Sequence, residues 1–70
     1  MKESVRELFA RRVRAMRAKR GWSQDELAAR SGLHRAYVGT IERCEKSATL
    51  DTVERIAKAL GVEVGELFED

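Results

Sequence analysis

The chain has 70 residues, 43% of them hydrophobic and 37% charged, with no proline and one cysteine. That length gives one small domain burying roughly 60% of its unfolded surface; the lone cysteine excludes a disulfide-stapled scaffold, and the short apolar runs exclude a membrane span or a signal-peptide core. The net charge of +2 hides a split: residues 1–35 carry ten Lys/Arg against four Asp/Glu, and residues 36–70 carry four against eight. A basic half of this kind points to a polyanionic partner or to a solvated helical surface.

Helix signals follow one another along the chain. Ser4-Val5-Arg6-Glu7 fits a capping box. From there Val5, Leu8, Phe9, Val13 and Met16 fall at helical spacing, and Gly21 suits the position just past the helix end. Ser23-Gln24-Asp25-Glu26 predicts a second capping box and a short helix to about Arg30, closed by Gly32. A third helix is expected from about Arg35 to Arg43, with Val38 and Ile41 facing inward. Cys44–Ala48 reads as a loop. Thr49 can cap a fourth helix whose stripe is Leu50, Val53, Ile56, Ala57 and Leu60, stopped by Gly61. Val62–Phe68 predicts a short fifth helical segment. Residues 1–70 are therefore expected to form one all-α domain of five helices.

The stretch from Gln24 to Glu42 carries the functional signal. Ala28 is small, so a second helix can cross closely over it. Gly32 can take φ > 0, as a sharp helix-to-helix turn needs. Leu27, Leu33, Val38 and Ile41 would point inward and hold the two helices rigidly. This is the pattern of a helix-turn-helix, in which the second helix enters the DNA major groove and the first crosses the backbone.

The segments Arg14-Ala15-Met16-Arg17, Gly21-Trp22-Ser23-Gln24-Asp25-Glu26-Leu27-Ala28, Gly32-Leu33, Ile41-Glu42-Arg43 and Ile56-Ala57-Lys58-Ala59-Leu60-Gly61-Val62 resemble the lambda-repressor-like (Cro/cI-type, XRE-like) helix-turn-helix family. The resemblance covers about residues 8–68. Within that family, the run from Leu33 to Arg43 is most similar to the controller proteins of restriction–modification systems. That likeness implies a small homodimeric transcription regulator with five helices per subunit. It also implies a prokaryotic, cytoplasmic and nucleoid-associated protein that regulates its own promoter, with no cofactor.

On a helix-turn-helix reading, the outer face of the third helix carries Arg35, Ala36, Gly39 and Thr40 as base-reading candidates. Arginine can bind guanine O6 and N7 bidentately, and Ala36 or Thr40 can touch a thymine methyl. Gly39, unusual in mid-helix, reads either as a point of close approach to DNA or as a tolerated surface glycine. Phosphate candidates are Ser23 and Gln24 at the second helix's N-terminus, where free N–H groups attract an anion; by resemblance Gln24 clamps a phosphate. Arg43, Lys46 and Ser47 are expected to hold the backbone on the other side. Tyr37 either reaches a phosphate or packs, and His34 serves as a cap or a phosphate neighbour. The resemblance implies an Arg17–Glu42 ion pair linking the first and third helices.

His34 and Cys44 are the only histidine and cysteine. A zinc site needs about four ligands, so no metal site is expected, and no catalytic set appears. Cys44 stands where the family usually has glycine or asparagine at a helix end, so a left-handed backbone there would be strained; a redox role beside DNA is a minor alternative. In the acidic half, Leu50, Val53, Val62, Val64, Leu67 and Phe68 are expected to form a dimer interface facing away from DNA, which by resemblance is built from the last two helices (about 49–68). The expected partners are operator DNA and a second copy of the chain, with no membrane and no small-molecule effector. The competing readings are a phage-type repressor or antitoxin, and a protein-interaction module that leaves the third helix unused for DNA.

Overall fold

The computed structural model describes residues 2–70. Four α-helices are present: α1 (Val5–Lys19), α2 (Gln24–Ser31), α3 (Arg35–Glu42) and α4 (Leu50–Leu60). A 3₁₀ helix, Val64–Phe68, follows them. No strand occurs among the described residues. The expected fifth helix is thus a single five-residue 3₁₀ segment. It is too short to repay α-helix nucleation, and a 3₁₀ turn closes its hydrogen bonds over fewer residues.

The caps explain most of the boundaries. Ser4 Oγ accepts the Glu7 N–H at 3.1 Å, and Glu7 Oε1 accepts the Ser4 N–H at 2.8 Å, completing the box on α1. Thr49 Oγ1 accepts the Thr52 N–H at 3.1 Å to start α4. On α2 only half of the expected box forms. Ser23 Oγ accepts the Glu26 N–H at 3.0 Å, but the Glu26 carboxylate turns forward to Arg30 Nε at 2.7 Å. An i,i+4 pair has outcompeted the reach back to the cap.

Phe9, Val13 and Met16 of α1, Leu27 and Ala28 of α2, Val38 and Ile41 of α3, and Val53, Ile56, Ala57 and Leu60 of α4 close one core together with Leu67 of the 3₁₀ helix. Two ends of the predicted stripes lie outside it. Val5 is 68% exposed and Leu50 87% exposed, because each occupies the first turn of its helix, beyond the packed neighbours. Two of the residues expected at a dimer interface belong to the core instead. Leu67 is fully enclosed and presents no surface to a second copy, while Val53, 6% exposed, keeps only a sliver at the floor of a surface groove. No helix is long and apolar enough to cross a membrane among the described residues.

Candidate nucleic-acid interface

The turn between α2 and α3 is set by backbone geometry. Gly32 takes φ 71°, ψ 26°, and its N–H donates to the Ala28 carbonyl. Leu33 N–H donates to the same carbonyl at 3.0 Å. A side chain at Gly32 would be strained in this left-handed conformation. Ser31, buried beside the turn, donates its hydroxyl to Leu27 O at 2.7 Å, so no polar atom is stranded there. His34 is the N-cap of α3: its Nδ1 accepts the Ala36 N–H at 3.1 Å. The ring itself is exposed.

The outer face of α3 then carries Arg35 and Ala36, both exposed, and Thr40, which is half-buried. The Arg35 side chain is 70% exposed, with Nε 3.4 Å from Asp25 Oδ1 at the start of α2. Thr40 donates its hydroxyl to Ala36 O at 2.9 Å. That leaves its methyl and its oxygen lone pairs for a partner.

Gly39 is not the tolerated surface glycine of the second reading. It is buried: a β-carbon built there would stand 2.9 Å from Arg43 Nη1 and 3.4 Å from Gln24 Oε1. The polar tips of Gln24 and Arg43 therefore both reach over Gly39, which offers no open surface of its own. The same geometry changes the expected placement of the phosphate candidates, since Gln24 and Arg43 converge instead of holding opposite sides. Tyr37 is half-buried against the core, and its hydroxyl accepts a long 3.5 Å hydrogen bond from Thr52 Oγ1. Ser23 has its oxygen committed to the α2 cap. Lys46 and Ser47 are exposed in the loop before α4.

Beneath this face lies a buried polar network. The Glu42 side chain is 2% exposed and the Arg17 side chain 16%. Arg17 Nε and Nη2 donate to Glu42 Oε2 and Oε1 at 2.7 and 2.8 Å, a bidentate pair between α1 and α3. Arg17 Nη1 also donates to Trp22 O at 2.8 Å, and Gln24 Nε2 donates to Glu42 Oε1 at 3.1 Å. The hydrogen bond to Glu42 holds the Arg17 guanidinium above its ordinary pKa. Glu42 thus fixes the base of α3 and the side-chain orientation of Gln24 at once. The Gln24 link and the Arg14 bond to Glu42 O at 2.9 Å were not readable from spacing, because each joins residues far apart in the chain.

Arg43 Nε and Nη2 pair with Glu45 at 3.1 and 3.2 Å. This raises the arginine pKa and lowers that of the glutamate. Cys44 has φ 60°, in the left-handed region that costs a residue with a side chain roughly 1–2 kcal/mol. Its N–H still finds Ile41 O at 2.9 Å, so hydrogen bonding at the helix end offsets part of the strain.

A family model described as helix-turn-helix matches residues 13–67. The chain belongs to the helix-turn-helix family. It is 41% identical over 70 residues to Control protein C.BamHI of Bacillus amyloliquefaciens, covering 99% of this chain and 86% of that one. It is 44% identical over 64 residues to Control protein C.SmaI of Serratia marcescens, covering 91% of this chain and 76% of that one. Among solved structures, the restriction-modification controller protein C.AhdI from Aeromonas hydrophila superposes with a TM-score of 0.87 at 41% identity, covering 90% of this chain and 96% of that one. In this helix-turn-helix chain the other residues expected at a dimer interface are at or near the surface. Leu50 and Val64 are exposed, Val62 is half-buried, and Phe68 stacks on Phe9 with ring centroids 5.4 Å apart. Leu50, Val53 and Phe68 line a shallow groove of about 320 Å³ with Val5, Phe9 and Ala48, and Arg6 and Ser47 line it too.

Proposed function

We propose that this chain is a sequence-specific DNA-binding transcription regulator of the restriction–modification controller type. On this reading α2 and α3 are the helix-turn-helix, and α3 enters the major groove with Arg35 leading. The observation that carries it is the division of labour around α3. Arg35 and Ala36 are exposed on the outer face, Arg35 beside Asp25, while Gln24 and Arg43 reach toward Gly39 next to them. Base edges would be read by the first set and a phosphate held by the second, which matches how such modules separate specificity from positioning.

The protein acts as a homodimer, with Leu50, Val62, Val64 and Phe68 on the shared surface. Twofold symmetry places two α3 helices about one DNA turn apart, ~34 Å, on a palindrome-like operator that includes its own promoter. Its chemistry is recognition rather than catalysis, and it needs no cofactor.

Selection from a random duplex library, followed by anisotropy titration of the selected sequence, tests this directly. A palindrome with half-sites one turn apart is the expected product. Arg35→Ala should lose about 1–3 kcal/mol of discrimination at one base pair per half-site, whereas Gln24→Ala should weaken all duplexes evenly. A library that returns no enriched sequence would overturn the reading.

A further inference from the structure

A first helix packed behind the recognition pair leaves most of its arginines to long-range attraction and solubility. Two of them do not stay behind. Arg14 Nη1 reaches the C-terminal end of α3 and donates to Glu42 O at 2.9 Å. Arg6 Nη1 reaches the following loop and stands 3.5 Å from Ser47 Oγ. Eight residues apart on a helix, the two lie about 12 Å from each other along α1. Arg14 also shares a groove of about 280 Å³ with Arg11 and Arg43, which Glu3, Glu7 and Glu42 line as well.

The charges around them sharpen the point. Among the described residues, the ion-paired arginines are Arg11, Arg17, Arg30, Arg35 and Arg43. Arg6 and Arg14 form no ion pair and hold neutral oxygens instead, with Glu7 the carboxylate that feels the Arg6 charge. Of the nearby carboxylates, Glu42 is paired by Arg17, Glu3 and Asp70 by Arg11, and Glu45 by Arg43, while Glu7 accepts the Ser4 N–H and keeps its charge. A guanidinium has five N–H donors, so most of those on Arg14 remain available.

We propose that Arg6 and Arg14 extend the phosphate-holding edge formed by Gln24, Arg43, Lys46 and Ser47, so that α1 grips the DNA backbone beside the loop before α4. This rests on the reading above that the chain binds duplex DNA. Both residues position the protein and read no bases.

The salt dependence of affinity tests it. Each phosphate neutralised contributes a slope of about −0.9 in log K against log[salt]. Arg6→Gln and Arg14→Gln should each make the slope shallower by about 1, and the double variant by about 2. Arg12→Gln is the control. It removes the same charge from α1, but its guanidinium faces Glu66 O, at 3.2 Å, on the 3₁₀ helix; its slope should stay at the wild-type value. Circular dichroism checks folding, and Arg6→Gln, which loses only a long contact, remains readable if Arg14→Gln unfolds. If wild type binds DNA and the Arg6 and Arg14 variants match Arg12→Gln, the α1 assignment is overturned and the DNA reading stands. If wild type binds no duplex, the DNA reading fails and takes this inference with it.

Discussion

Replacing Arg17 by methionine should destabilise the domain severely, and the size of the effect follows from the geometry. The substitution keeps most of the aliphatic stem but leaves the Glu42 carboxylate, whose side chain is 2% exposed, with Gln24 Nε2 as its remaining side-chain donor. Breaking a buried pair on one side costs about 3–5 kcal/mol. Arg17 itself is 16% exposed, so some water can enter, and the lower end, about 3 kcal/mol, is expected. A domain of this size has only roughly 4–10 kcal/mol in total. At about 4–8 °C per kcal/mol, the midpoint should fall by at least about 12 °C. The double variant Arg17→Met/Glu42→Leu removes the stranded charge and should recover to near wild type or above, since apolar replacement of a buried pair is often neutral or stabilising. Urea melts followed by circular dichroism give both values. A single variant within about 1 kcal/mol of wild type, or a double variant no more stable than the single, would refute the network argument.

Three further outcomes are expected. Cys44→Gly should stabilise by about 1 kcal/mol in urea melts, because glycine relieves the positive φ while losing more chain entropy on folding; a loss of stability would show that the cysteine side chain is itself held. Gly39→Ala should raise stability by up to about 1 kcal/mol through helix propensity, since the nearest obstacle is the flexible tip of Arg43 at 2.9 Å; a marked loss in the same melts would mean that Arg43 cannot move. Leu50→Ser should leave the thermal midpoint of dilute protein unchanged, as the residue is 87% exposed, while sedimentation equilibrium shows a weaker dimer; an unaltered association constant would remove Leu50 from the interface.

Local signals placed the helices well. Ser4, Ser23 and Thr49 mark starts because their side-chain oxygens satisfy orphan N–H groups within three residues. Gly32 and Gly61 mark ends because the left-handed turn is a property of single residues. Cys44 shows the limit of that logic: a likeness to glycine-bearing relatives flagged the strained position, yet no local rule explains why cysteine occupies it. The second capping box failed for a related reason. Glu26 had two local partners of similar strength, and sequence spacing does not rank them.

The candidate site was legible only in part. Arg35 and Ala36 on the outer face of α3 follow from the inward pair Val38 and Ile41, since helical periodicity fixes the opposite side. The burial of Gly39 does not follow from it, because its cover comes from Gln24 and Arg43, on another helix and one turn further along. Nor could Leu67 and Val53 be told from Leu50 and Val64 by composition, since all four are aliphatic and only packing decides which faces are covered.

The sequence by itself determined the helices, the turn at Gly32 and the family, because caps, periodicity and left-handed positions act within a few residues. Tertiary structure alone decided which cations are free. Arg11 is pinned by Glu3 and Asp70, Arg17 by Glu42, and Arg43 partly by Glu45, while Arg14 reaches the end of α3 and Arg6 the loop after it. A charge acts on whatever lies within a few ångströms, and those neighbours are set by how the helices cross.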